Sequence, residues 1–378
     1  MITIRKLDTT NPKDVQTWIQ LPYKLYANQP MWAPQLVSDA KFQLDREKNP
    51  FFAFGDAAFF LAEKDGRPAG RIAVLDNQRL NRLRNESHAF FYLFETENDF
   101  KIAEALFDAA SKWGAERSLE ALVGPKGFLT IDSVGMLAQG FERFPAMGMA
   151  WNPPFYIDFM KRLGFEKVTD YTTGWLQSDF VLPEKIFRIA EKARKRYGYH
   201  TQTFTSKKEI EPIAEKVIET YNQSFVENWE HVPISDAEYP VLLHRILSIL
   251  NDPELPRVVW KEDKVVGFIL AYPDVNRAIK KAKGKLWPFG WWHLLRGMKR
   301  TDWIDINGAG ILPQYQGRGV DAIMMAELWH VLNDGKKPYR FAEVCQINEA
   351  NDKMQKEMAT VGVSFDKRHR IFRRRISN

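Results

Sequence analysis

Residues 306–332 read INGAGILPQYQGRGVDAIMMAELWHVL, and they constrain the fold more tightly than any other stretch of the chain. An apolar run from Trp303 reads as a strand that stops at Leu312-Pro313. A helical pattern starts near Val320, with Ile323, Met324 and Leu328 on its core side. Between them lies Gln314-Tyr315-Gln316-Gly317-Arg318-Gly319. Gly317 and Gly319 remove Cβ atoms where an anion must approach the backbone, and they permit φ values that other residues resist. The helix N-terminus adds inward-pointing N–H groups and a positive partial charge, and Arg318 can add a charge-assisted contact. The segment reads as an anion cradle between a strand and a helix.

Q-x-x-G-x-G in this setting resembles the coenzyme signature of the GCN5-related N-acetyltransferase (GNAT) superfamily. Downstream, NDKMQKEMATVGV resembles that family's second signature, matched by Asn351, Gly362 and Val363, with Met358 where relatives often carry a tyrosine that protonates the departing thiolate. The resemblance covers roughly residues 200–375. It implies that acetyl- or acyl-coenzyme A lies between two splayed parallel strands, Trp303 to Leu312 and Arg340 to Ile347. Ile311 and Leu312 would then offer backbone groups to the pantetheine arm. Gln314, Tyr315, Gln316, Gly317, Arg318, Gly319 and Val320 would line the pyrophosphate, with Asn351 opening the next helix. The implied activity is transfer of an acyl group to the primary amine of a small molecule or peptide by direct attack.

The expected fold class is α/β, a mixed α+β sheet. Two tandem GNAT-like domains would each form a mostly antiparallel twisted sheet with a splayed central parallel pair and flanking helices. A length of 378 residues suits two ordinary cores. Both halves read strand, helix, hairpin, strand, helix, strand, helix, strand, which places a degenerate domain at 1–178, a basic connecting helix at 179–198 and the coenzyme domain at 199–378. In the first half the position equivalent to the loop reads Phe94-Glu95-Thr96-Glu97-Asn98-Asp99. Three carboxylates there would repel phosphates. The Gly-, Pro- and Met-rich stretch at 124–154 reads as either a packed loop or a substrate-binding one.

Composition excludes several classes. One cysteine, Cys345, rules out an intramolecular disulfide framework, and the seven histidines show no close ligand spacing, so no metal is expected. No apolar run reaches the roughly 18 residues that a bilayer crossing needs, and the N-terminus has no apolar signal core, so a cytoplasmic protein is expected. A net charge of +6 is spread too thinly for nucleic-acid binding.

For a general base, Asp305 lies on the first coenzyme-flanking strand and Glu230 in NWEHVPIS, beside His231. The insertion at 286–298, rich in tryptophan and flanked by lysines and arginines, could line a pocket, plug an interface or touch a membrane surface. Two alternatives to an N-acyltransferase are a non-catalytic sensor or scaffold on the same fold, which Met358 favours, and a long-chain acyl or lipid-related transferase.

Overall fold

The computed structural model describes residues 1–376 apart from 131, 227, 229, 230 and 335. It divides into two compact units. The first holds Met1–Tyr171, Asn276–Leu295 and the segment from Lys367 onward; the second holds Thr172–Val275 and Arg296–Asp366. The linear division expected from sequence differs from this one, because residues 276–295 and the C-terminal segment group with the first unit.

The first unit opens with β1 (Ile2–Lys6), α1 (Pro12–Leu25) and α2 (Val37–Leu44). Asn11 caps α1 by accepting the Lys13 N–H, and Pro12 occupies the first turn, where a missing N–H costs nothing. The hairpin β2 (Gly55–Lys64) and β3 (Arg67–Asn77) turns at Asp65 and Gly66, both at positive φ as a two-residue hairpin of native twist requires. Then come α3 (Gln78–Arg84), β4 (His88–Thr96), α4 (Phe100–Ala115), β5 (Ala121–Gly124), β6 (Met136–Gln139), α5 (Phe155–Arg162) and β7 (Glu166–Gln177). Strands β1 to β5 lie in sequence order, antiparallel except for the parallel pair β4 and β5. Ile102, Leu106, Ala110 and Trp113 form the buried stripe of α4 against this sheet.

The described part of the stretch 124–154 carries β6 and is held together by its own hydrogen bonds. Asn152 exchanges hydrogen bonds with the backbone of Leu137, and the Trp151 indole donates to Phe141 O.

The second unit takes the later part of β7, then α6 (Glu184–Tyr197), β8 (Tyr199–Gln202), α7 (Lys207–Ile210), α8 (Ala214–Ser224), α9 (Tyr239–Ile249), β9 (Arg257–Lys261) and β10 (Lys264–Pro273). Along the chain α10 (Asn276–Lys281), which belongs to the first unit, and α11 (Gly290–Arg300) follow, then β11 (Trp303–Ile311), α12 (Val320–Asn333), β12 (Phe341–Asn348), α13 (Asp352–Thr360) and β13 (Ser364–Arg375), whose residues from Lys367 onward group with the first unit. The order β8–β9–β10–β11–β12 repeats β1 to β5, again antiparallel except for the last pair. The internal duplication expected from element order is therefore present in the topology.

Helix α6 belongs to this unit's core. Ala190 and Ala193 are buried in it beside Val320 and Ile323 of α12. Between Lys207 and Ser224 the chain forms α7, a 3-10 turn and α8 rather than one helix, because Pro212 lacks the N–H that a continuous helix would need.

Candidate functional site

The parallel pair at the centre of the second unit is short. Trp303, Ile304, Asp305 and Ile306 face Phe341, Ala342, Glu343 and Val344, and the register ends there. Strand β11 nevertheless continues to Ile311, held by β10 as far as Gly267 opposite Ile311. Beyond Ile306 the two strands therefore part. An irregularity between Ile269 and Ala271 of β10 adds one residue on the β11 side, where Gly308 adopts φ +133.

Above the gap, Leu312 is buried and its N–H is held by Val266 O at 3.0 Å. Pro313–Tyr315 makes one 3-10 turn, Gln316 is extended, and Gly317 (φ +70) and Gly319 (φ +84) turn the chain into α12. Gly319 is the N-cap residue and offers no side-chain cap. Among the described residues, no protein acceptor takes the N–H groups of Gly317, Gly319, Val320 or Asp321. These are the orphan donors that make a helix start attractive to anions.

The two glycines have different reasons to be glycine. A Cβ on Gly317 would meet nothing within 4 Å, so the space above it is open to a ligand. A Cβ on Gly319 would lie 2.7 Å from the Ala193 Cβ, so that residue lets α6 close on α12. Tyr315 carries two cations near its ring, Lys261 and Arg318, each 5.9 Å from the centroid. They add positive charge beside the loop.

Below the gap lies a row of buried polar side chains. Tyr272 of β10, Asp305 of β11 and Glu343 of β12 are register partners, so all three point to one face of the sheet. All three are buried. Asn307 and Cys345 lie one step further along the same face. Burial pushes the Tyr272 phenol well above its ordinary range, Asp305 and Cys345 push it the same way, and a hydrogen bond with Asn307 opposes them. Tyr272 is therefore a neutral O–H donor at any ordinary pH. The alternate residues Ile304, Ala342 and Val344 point to the opposite face, into the core with α12. Helix α8 packs on the polar side, with Tyr221 against Phe268 at 6.3 Å and Thr220 Oγ1 donating to Val265 O.

Most of the residues singled out in sequence come together here. Ile311, Leu312, Gln314, Tyr315, Gln316, Gly317, Arg318, Gly319 and Val320 form the loop and its approach, and Asp305 lies one residue before the strands separate. Asn351 caps α13, its side chain accepting the Met354 N–H at 3.2 Å. Met358 packs against the core of the unit and brings no proton donor. Glu230 lies outside the described residues; its neighbour His231 is buried against the rings of Tyr221 and Phe225. Sequence reasoning missed Tyr272 and Glu343. Strand alternation puts Glu343 two residues from Cys345, but only the cross-strand register reveals the row.

The first unit shows the same architecture, with the equivalent positions occupied by its own side chains. Glu95, Glu97 and Asp99 are each paired, with Arg71, Arg67 and Lys64 respectively. Asp99 also caps α4 by accepting the Lys101 N–H, which fills the helix start that α12 leaves open. At the end of β4 the Tyr156 phenol accepts the Thr96 N–H at 2.6 Å and donates to Thr96 O at 3.1 Å. A side chain thus satisfies the strand backbone there. The Tyr26 phenol, 2.8 Å from that of Tyr156, completes the plug.

No protein-family model matches the chain. An Escherichia coli protein named YghO is 25% identical over 377 residues, covering 97% of this chain and 94% of its own. A Caulobacter vibrioides protein named bacterial ceramide synthase is 27% identical over 386 residues, covering 96% and 94%. Among solved structures, a tandem GNAT protein from the clavulanic acid biosynthesis pathway superposes on 100% of this chain and 99% of its own, with a TM-score of 0.59 at 13% identity.

Proposed function

The chain has the tandem GNAT fold, and on that premise we propose that its second unit is an N-acyltransferase that moves an acyl group from acyl-coenzyme A to a primary amine. The observation that carries this reading is the open glycine loop, with its uncapped helix start, directly above the parting of β11 and β12. Residues 312–320 would hold the pyrophosphate, with Gly317 as the point of closest approach. Bound there, the thioester supplies an activated carbonyl to the attacking amine.

This chain's residues would then orient, desolvate and collect a proton. Asp305 and Glu343, side by side on a buried face, are the carboxylates nearest the base of the gap. One of them would accept the proton that the attacking ammonium must lose. Tyr272, kept neutral, would donate to Asp305, its cross-strand partner, and fix the orientation of that carboxylate. With Met358 in place of the tyrosine of relatives, the departing thiolate would take its proton from another donor.

The name of the Caulobacter relative supports a finer reading. A ceramide is an amide of a fatty acid with a long-chain amino alcohol, so a fatty acyl donor and a long-chain amine acceptor fit that relative's name. Titration of acetyl-, octanoyl- and palmitoyl-coenzyme A by calorimetry tests this. Tightest binding of the longest donor is expected, and equal affinity for all three would remove the long-chain reading. Met358 favours a second reading, a scaffold that binds the coenzyme without turnover. Binding with no thiol release across a panel of amines would select it.

A further inference from the structure

Residues 276–300 carry eight lysines and arginines and no aspartate or glutamate. We propose that this segment docks the protein on the surface of an anionic lipid bilayer. The inference goes beyond the acyl-transfer reading and does not depend on it.

The root of the segment is fixed. Asn276 Nδ2 donates to Pro145 O and Ala146 O, and Lys280 Nζ donates to Gln29 O and Pro30 O. Tyr23 Oη donates to Lys283 O, and the Val37 N–H to Gly284 O. Gly284 adopts φ +65 with its Cβ position 2.4 Å from the Gln35 carbonyl oxygen, so only glycine fits at this root.

The tip is folded as well. The Trp291 N–H returns to Leu286 O at 2.8 Å, the Trp291 indole donates to Pro288 O, and the Trp292 N–H returns to Phe289 O. A Cβ on Gly290 would lie 1.6 Å from the Lys285 carbonyl oxygen, so no other residue could close this turn. The compact tip still leaves its largest rings in water. Trp287 is 82% exposed, Phe289 74% and Trp292 54%, and Trp291 and Leu295 are also exposed. A preformed cluster of exposed aromatics is a binding surface.

The charges choose its occupant. Lys281, Lys283 and Lys285 precede the tip, and Arg296, Lys299 and Arg300 follow it on α11; all six are exposed. None of them makes an ion pair among the described residues. Aromatic rings between two cationic flanks match the boundary between acyl chains and anionic headgroups. The same face on a second copy would bring like charges together. No helix among the described residues is long and apolar enough to cross a membrane, so the contact is one of surface docking.

Flotation of the full chain with vesicles of phosphatidylglycerol and phosphatidylcholine, against phosphatidylcholine alone, tests the proposal. Binding to the anionic vesicles is expected, with a blue shift of tryptophan emission and release in about 0.5 M salt. The triple variant Trp287→Ala, Phe289→Ala, Trp292→Ala should lower the bound fraction at least about tenfold. Its melting temperature should stay that of the wild type, because the rings it removes are exposed. Leu83→Ala, an exposed apolar residue elsewhere, should bind as wild type. Failure of the wild type to float with anionic vesicles, or flotation of the triple variant equal to wild type, would overturn the proposal. So would a wild-type dimer that the triple variant converts to monomer without any vesicle binding, since the occupant would then be a second copy.

Discussion

Gly317→Asn and Gly317→Asp separate backbone strain from charge at the loop. Gly317 is exposed at φ +70 with nothing within 4 Å of its Cβ position, so either side chain fits sterically. Both residues tolerate the left-handed region better than most, and each should cost about 1 kcal/mol of stability, a fall of about 2–4 °C in melting temperature. The two variants are nearly isosteric and differ by one negative charge. A unit charge about 4 Å from a phosphate costs about 1 kcal/mol in water and about 4 kcal/mol at an effective dielectric constant near 20. An exposed loop belongs in the lower half of that range, so the aspartate should weaken acyl-coenzyme A binding about 5- to 70-fold relative to the asparagine. The gap should narrow as salt screens it. Calorimetric titration of both variants with one acyl-coenzyme A gives the ratio directly. Equal dissociation constants for the two would refute the assignment of this loop to the pyrophosphate.

Further outcomes follow from the packing. Gly319→Ala drives a Cβ to 2.7 Å from Ala193 at φ +84, so it should destabilise the second unit by about 2–5 kcal/mol, well beyond Gly317→Ala at about 1–2 kcal/mol, in parallel denaturant titrations. His369 is buried, with Nε2 on Ala150 O at 2.9 Å, and burial first and Lys367 second hold its pKa down to about 4, against the backbone bond. Because the folded value lies below the unfolded one, its contribution is complete above pH 6.5 and is lost as the pH falls from there to about 4. The loss amounts to about 3 kcal/mol, and His369→Gln should flatten that part of the curve in urea midpoints measured across the window. Asp170 is fully buried and takes a two-pronged bond from Arg370, at 2.8 and 2.9 Å. Burial alone would raise its pKa, but the Arg370 and Lys167 contacts outweigh it and lower the value. Asp170→Asn, which leaves Arg370 facing a neutral amide, should cost about 3–5 kcal/mol in chemical denaturation.

The parts of the site that were legible in sequence are the local ones. A strand stop at Leu312-Pro313, two glycines and a helix start are written within nine residues, and the structure shows each where the spacing put it. Whatever depends on pairing between distant segments was not legible. Tyr272 and Glu343 become neighbours of Asp305 only through the registers of β10 and β12, which no periodicity encodes. Helix α6 looked like a connector because its exposed face is basic, yet the small residues Ala190 and Ala193 on its other face form part of the second core. The duplication was visible as element order. The closure of the first copy was half visible, in Glu95, Glu97 and Asp99, while the Tyr156 plug needs α5 folded back onto the end of β4.

The central claim is chemical, and mass spectrometry tests it most directly. Protein incubated with palmitoyl-coenzyme A and a long-chain amino alcohol should yield the N-palmitoyl amide and free thiol in equal amounts, both formed at least about 5-fold more slowly by Gly317→Asp at limiting donor. Thiol release without amide, or amide formation unchanged by that substitution, would contradict the account.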